Sequence, residues 1–281
     1  MPERVAAAIA DEGTNNSLEG SIPKLARLLE HDRDVEVAYL CNDAAVQVYK
    51  LPDEGAHFCG YRNMQMLLLA LGRPGGGVPA MKDCEQKRSI SQLQDMIEEA
   101  WTQGHNAHGR LQTGGIRGTR KHVGTSEVRY ARMSGHYALM IDTLQAEALL
   151  LSLNISCTGT AFTGKEAWRE LLGSIETYFA SPSHTPFPTP SANHHIHITT
   201  RFPIFLQRPA HSLTIVGIER TKSGKRRLLT FDPAWRPPSA MREELQESNC
   251  SGWSAKLLLG RYRKGERYLR RFGGFETLCL D

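Results

Sequence analysis

A chain of 281 residues with 40% hydrophobic and 23% charged residues has the make-up of an ordinary globular protein and is long enough to bury a core, which excludes disordered and fibrous classes. The formal net charge of +4 is too mild to name a nucleic-acid partner. No apolar run approaches a membrane span, and the six cysteines include no C-x-x-C pair, which argues against zinc ribbons and dithiol redox motifs.

The short apolar run Val5 to Ala10 is followed at once by Asp11 and Glu12 and has no basic stretch before it, unlike a secretory leader. The expected setting is therefore a reducing compartment, cytosol or nucleus, with mostly free thiols. Residues 1–20 read as a loose tail, and residues 21–281 as one domain.

From Ser21 the chain reads as helix, with Ser21 as cap, Pro23 in the first turn, and Ile22, Leu25, Leu28 and Leu29 at helical spacing. Val35 to Cys41 is a strand with Val35, Val37 and Tyr39 on one face. A turn region from Gly55 to Gly60 holds Cys59 and leads into an apolar helix, Tyr61 to Leu71, closed by Gly72 and Pro74. Ser91 to Trp101 is a second helix begun by a serine cap, and the glycine-rich stretch from Gly104 to Gly124 is loop.

Ala146 to Leu153 is helical, Ile155 to Phe162 strand-like, and Lys165 to Phe179 an amphipathic helix carrying Trp168, Leu171, Leu172, Ile175 and Phe179. The Pro-, Ser- and Thr-rich stretch Ser181 to Asn193 is an exposed connection. Strands follow at Ile204 to Leu206, Ser212 to Glu219, Leu228 to Phe231 and Phe275 to Leu280. Helices first and strands later is an α+β order rather than a βαβ repeat. Near the end Arg261, Arg263, Lys264, Arg267, Arg270 and Arg271 gather; without an aromatic stacking pattern they read as a solvated face.

Three residues stand out chemically. Cys59 sits where loop becomes helix, and helix-end N–H groups favour thiolate over thiol; on spacing alone, a small buried hydrophobe remains the leading reading of a lone cysteine. His211 begins one strand and Asp232 ends the next, about equally far from the turn near Lys222 and Ser223. In an antiparallel hairpin such residues meet at one end, where the carboxylate can hold the imidazole in one tautomer. The competing reading is a satisfied core histidine and a turn-capping aspartate before Pro233. His194, His195 and His197 lie in a connection without a fixed set of ligands, and His105 and His108 lack zinc-protease spacing, so no metal site is expected. No P-loop or dinucleotide fingerprint is present.

Four ordered segments carry a resemblance. Phe58-Cys59-Gly60-Tyr61-Arg62-Asn63-Met64-Gln65-Met66-Leu67, Gly118 to Glu127, Phe205 to Glu219, and Leu228 to Pro233 together resemble the papain-like family of ubiquitin-fold-modifier-specific proteases, in its ubiquitin-directed, ZUFSP-like branch. The resemblance implies a papain-like α+β fold, with the nucleophile at a helix N-terminus packed on an antiparallel sheet that carries histidine and aspartate. It implies Cys59 as nucleophile, His211 as base, Asp232 as the group orienting it, and Gln207 in the oxyanion hole. Thr119, His122 and Glu127 would line the groove for a Gly-Gly tail. The family often has tryptophan where His122 stands and Gln-His-Gln-Gly-His where this chain has Gln207-Arg208-Pro209-Ala210-His211. Enzymes for the ubiquitin-fold modifier carry Asp-Pro-His; here the run is Asp232-Pro233-Ala234, which leaves His211 as base and favours ubiquitin.

The implied activity is a deubiquitinating cysteine isopeptidase, monomeric, acting on ubiquitin or polyubiquitin without cofactor, nucleic acid or membrane. The alternatives are a protease for the ubiquitin-fold modifier or another ubiquitin-like protein, a non-catalytic ubiquitin-binding module, and a papain-like peptidase for unfolded chains. Val128 to Gln145 interrupts the family-like pattern. With it skipped, Gly124-Thr125-Ser126-Glu127 runs into Ala146 to Leu151 as one helix. Valine codons begin GT and one glutamine codon ends AG, the boundary letters of an intron, so the stretch is expected to be a surface insertion or an intron read through.

Overall fold

The computed structural model describes residues 1–281 except 11, 14, 53, 56, 74–79, 122–142, 182–194, 246–249, 251 and 281. Most of the 128–145 stretch, His122, Glu127, Pro74 and most of the Ser181–Asn193 connection therefore lie outside the described residues.

The elements run in chain order α1 (Glu3–Ala10), β1 (Ser17–Leu18), α2 (Ser21–Glu30), β2 (Val35–Leu40), β3 (Gln47–Val48), α3 (Cys59–Leu71), α4 (Ile90–Thr102), α5 (Ala107–Thr113), α6 (Thr143–Ser152) and β4 (Cys157–Thr163). There follow α7 (Ala167–Ala180), β5 (Ile196–Ile198), β6 (Ile204–Arg208), β7 (His211–Thr221), β8 (Arg226–Phe231), α8 (Ser239–Arg242), α9 (Gly252–Tyr262), β9 (Arg263–Gly265), α10 (Glu266–Leu269) and β10 (Gly274–Leu280). The architecture is α+β, as the element order implied. No helix among the described residues is long and apolar enough to cross a membrane.

The main sheet runs β4-β10-β6-β7-β2-β5, with β8 and β9 extending from β7. Its spine is β7. The first half of β7 pairs with β6, from Arg208↔His211 to Ile204↔Ile215, and the second half with β2, from Leu40↔Gly217 to Val35↔Thr221. Along its other edge β7 pairs antiparallel with β8. Gly217 lies where the partners change, and a Cβ there would meet the Tyr39 carbonyl oxygen at 2.4 Å, so only glycine lets the strands approach this closely.

Two apolar clusters divide the interior. One joins α2, α7 and α9 to the sheet through Leu25, Leu28, Trp168, Leu171, Ile215 and Leu259. The other packs α1, α3, α4 and α6 against β6 and β10 through Ile9, Tyr61, Leu67, Leu93, Leu149, Phe205 and Leu278. Helix α3 serves both, through Met66 and Leu69 in the first cluster and Met64, Leu67, Leu68 and Leu71 in the second. Every residue from Gly60 to Leu71 is buried, the condition of a helix enclosed on all sides.

Several expectations need correction. Residues 1–20 are not a loose tail: α1 buries Val5 and Ile9, and Glu12 and Asn16 are buried after it, because the outer faces of α3 and α4 need an apolar cover. Ser21 is not a cap. The cap position belongs to Gly20 at φ 67, with no side-chain cap bond. In β2 the inward face changes at a bulge between Val35 and Val37, so Ala38 and Leu40, not Val37 and Tyr39, are buried. The cap of α4 is Ser89, whose hydroxyl accepts from the Gln92 amide while the Gln92 side chain accepts from the Ser89 amide. The Gly104–Gly124 stretch holds α5, which packs its Gly109 against Trp101; a helix that offers glycine to its neighbour shows no apolar period. The late basic residues are not all solvated. Arg263 pairs with Asp32 and Glu219, and Lys264 with Asp232.

The tight turn Pro209-Ala210 between β6 and β7 places Ala210 at φ 63, a left-handed conformation that costs an alanine about 1–2 kcal/mol. Ala210→Gly is expected to raise stability by about 0.5–1 kcal/mol once glycine's greater chain entropy is subtracted, as read from denaturant unfolding; a lower midpoint would contradict the strain.

Candidate active site

The β7–β8 hairpin brings its two flanking residues together as antiparallel pairing requires. His211 Nε2 lies 2.8 Å from Asp232 Oδ1, and the same Oδ1 accepts a 2.9 Å bond from the Ala234 amide. The ring thus turns Nε2 to the carboxylate, and its other interaction is a hydrogen bond with the Cys59 thiol. The three residues expected to act together, Cys59, His211 and Asp232, are brought together.

Cys59 is partly exposed and is the first residue of α3. Phe58 occupies the cap position without a side-chain cap bond, so the partial positive charge of the helix start is left for an anion at this end. Asn63, one turn on, ties the helix to the strand of His211. Its amide nitrogen donates to the Cys59 carbonyl at 2.8 Å and reaches the Ser212 hydroxyl at 2.9 Å, and its oxygen accepts from Thr214 Oγ1 at 2.8 Å. Arg62, fully buried beside it, pairs with Glu12 and Glu54 and donates to Gln65 Oε1 at 2.9 Å.

Cys59 and His211 open into a cleft of about 130 Å³ whose walls include Gly55, Phe58, Ala210 and Ala234. Gln207 is buried on β6, opposite Ser212 in register and so on the sheet face that meets Asn63. Its amide nitrogen donates to the Arg208 carbonyl at 2.9 Å, and its Oε1 is buried without a partner among the described residues.

Thr119 uses its polar groups in folding the 116–121 turn. Its hydroxyl donates to the Ile116 carbonyl at 2.7 Å, and its own carbonyl accepts from Gln94 at 3.0 Å. That turn reaches α3 through Tyr61, whose hydroxyl lies 3.5 Å from the Lys121 carbonyl.

The charges follow the geometry. Burial pushes the His211 pKa down, but the bonds and charges of Asp232 and Cys59 outweigh it and leave the imidazole raised to about 9. Burial pushes Asp232 up, and its bond to His211, the imidazolium charge, the Ala234 amide and Lys264 outweigh this and leave it lowered. The arrangement suits a thiolate held beside an imidazolium, the resting state of a thiol nucleophile.

Sequence reasoning missed Asn63, Arg62, the Ala234 amide and Lys264. The polar residues Arg62, Asn63 and Gln65 inside an otherwise apolar helix were the available signal, because buried polar groups demand named partners.

Residues 34–278 match the family described as Peptidase family C78, a span that holds Cys59, His211 and Asp232. Zinc finger-containing ubiquitin peptidase 1 of Mus musculus is 30% identical over 263 residues, covering 92% of this chain and 40% of that protein. The Bos taurus protein of that name is 31% identical over 205 residues, covering 71% of this chain and 31% of its own length. The Macaca fascicularis protein is 29% identical over 263 residues, at 92% and 40%. The chain thus spans at most about two-fifths of these relatives' length. UfSP from C. elegans aligns with TM-score 0.44 and 13% identity, over 89% of this chain and 35% of that one, a likeness too slight to carry an argument.

The raised His211 pKa fixes the sign of two pH effects. Its contribution to stability is full below the unfolded value of about 6.5 and is lost as pH rises through about 9. Turnover should fall over the same alkaline range as the imidazolium proton leaves. A pH profile of kcat/KM alongside thermal melts checks both, and a loss of activity centred near pH 7 would contradict the pairing.

Proposed function

The chain belongs to peptidase family C78, and on that footing we propose that it is a thiol-dependent deubiquitinase cleaving isopeptide bonds after the C-terminal Gly-Gly of ubiquitin, with polyubiquitin as its substrate. The observation that carries the reading is the bonded line of Cys59, His211 and Asp232, with 2.8 Å between the last two, opening into a cleft of only about 130 Å³. A cleft of so small a volume fits a Gly-Gly tail, because glycine alone lets backbone approach so closely. Ubiquitin is favoured over the ubiquitin-fold modifier because Ala234 occupies the third position of the Asp-Pro run and offers only its backbone N–H, to Asp232. The relatives named as ubiquitin peptidases support the same choice.

In this mechanism the Cys59 thiolate attacks the carbonyl carbon of the modifier's last glycine. The Cys59 amide and the Gln207 side chain receive the oxyanion, the latter turning from the Arg208 carbonyl; each such donor is worth roughly 2.7–4 kcal/mol in comparable sites. His211 protonates the departing lysine amine, and water then clears the thioester. Thr119, with His122 and Glu127, belongs to the proposed tail-binding wall. A reducing compartment, cytosol or nucleus, belongs to the same reading, because a solvent-accessible nucleophilic thiol is readily oxidised elsewhere.

A ubiquitin probe with an electrophilic C-terminus tests the proposal. Wild type should be captured, and Cys59→Ala should lose both capture and chain cleavage while keeping its melting temperature. Capture of a ubiquitin-fold-modifier probe in place of ubiquitin would reassign the substrate, and labelling that survives in Cys59→Ala would remove the nucleophile assignment.

Gln207→Ala should lower kcat by about 10²-fold with little change in KM, measured on a fluorogenic ubiquitin substrate. An effect confined to KM would place Gln207 in substrate binding instead.

A further inference from the structure

Lys264 stands on β9, which pairs with β8 alone. A lysine on such an edge ordinarily keeps its ammonium in water and blocks further pairing. Here the side chain is 15% exposed, and its ammonium lies 3.7 Å from Asp232 Oδ2, the carboxylate oxygen that neither His211 nor Ala234 engages at Oδ1. That distance is an ion pair rather than a hydrogen bond.

The ammonium also sits 5.3 Å from the centre of the Tyr268 ring, within reach of a cation–π attraction. Tyr268 is held in turn, because its hydroxyl accepts from Arg208 Nε at 2.7 Å and the Arg271 guanidinium lies 5.2 Å from its ring centre.

We propose that Lys264 is a positioning residue of the catalytic group: its ammonium, braced on Tyr268, holds the Oδ2 side of Asp232 and limits how tightly the carboxylate grips the imidazolium. This rests on the catalytic reading of Cys59, His211 and Asp232. Lys50, Glu54 and Arg62 share the cleft with Cys59 and His211, and the remaining charged groups at the centre face one another. Asp232 meets His211 from β7 and Lys264 from β9, His211 meets Asp232 and Cys59, and Lys264 meets Asp232 and Arg208. Burial and the Arg208 charge both work against the ammonium and hold its pKa below the ordinary lysine value, while Asp232 works for it.

The sign of the effect follows. A neutral residue at 264 leaves the carboxylate charge undiminished, so the imidazolium holds its proton to higher pH. An imidazolium that holds its proton more tightly gives it up less readily to the leaving amine, which should lower kcat and leave KM nearly unchanged. A purely structural role would change melting temperature without moving any titration.

The test is the pH dependence of Cys59 alkylation by iodoacetamide, which needs no ubiquitin substrate, in wild type, Lys264→Met, Lys264→Arg and His211→Gln. Wild type should show an alkaline step from loss of the His211 proton. Lys264→Met should move that step upward by about half a unit or more, and Lys264→Arg should restore it. Lys264→Gln provides the same comparison if the methionine variant fails to fold. A step that stays in place or moves down in a folded neutral variant overturns the proposal alone. A wild-type profile identical to that of His211→Gln overturns the catalytic reading, and this proposal with it.

Discussion

The joint on which the site depends is the Asn63 amide. The proposed nucleophile and base come from different layers, Cys59 from a buried helix and His211 from the central strand. A hydrogen bond between them needs those layers held in one register. Asn63 supplies it by bonding the Cys59 carbonyl, Ser212 and Thr214 at once. The bonds to Ser212 and Thr214 are withdrawn from water, where leaving a partner unmade costs about 1–3 kcal/mol. A small slip of α3 along β7 would break them together, so the polar contacts select one position where apolar packing alone would accept several.

A second constraint acts through the neighbouring residue of α3. Arg62 is buried with Glu12 from the N-terminal segment and Glu54 from the loop before Cys59, and Glu12 also accepts from the Ile90 amide that begins α4. Removing one member of such a group leaves an uncompensated buried charge, at roughly 3–5 kcal/mol. The cluster need not add net stability to matter, since desolvation can cancel its attraction. What it gives is uniqueness, because a guanidinium and two carboxylates satisfy one another in few arrangements. Thus the helix carrying Cys59, its preceding loop and the first segment of the chain are tied to one another.

Much of this was legible in the sequence, for physical reasons that differ by element. α3 and α7 show long apolar patterns that only burial explains, and the β7–β8 hairpin could be read from β-branched alternation around a turn. The distance of His211 and Asp232 from that turn was enough to bring them together. What escaped detection was decided by partners distant in the chain. α1 is short, and its burial depends on α3 and α4. β5 is brief and gains its place by pairing with β2. Lys264 and Arg263 looked like solvated charge because their carboxylate partners lie earlier in the chain. Gln207 was suggested by resemblance, and its position on the face toward α3 required the register of β6 against β7.

Cavity size and basic charge would both have pointed away from this site. A groove of about 580 Å³ is bordered by Lys225, Arg226, Arg227, Arg267 and Arg270, at the hairpin end opposite His211. Its field is weaker than its residue list suggests: Arg226 is paired with Glu176, Arg227 with Asp34 and Glu219, and Arg270 with Glu266. Surface pairs of this kind contribute little stability and leave little net charge to attract a ligand. The cleft at Cys59 is less than a quarter of that volume, yet its charges are arranged along a line of proton transfer. Chemistry here follows from which groups share protons, and neither the volume of a hollow nor its basic charge reports that.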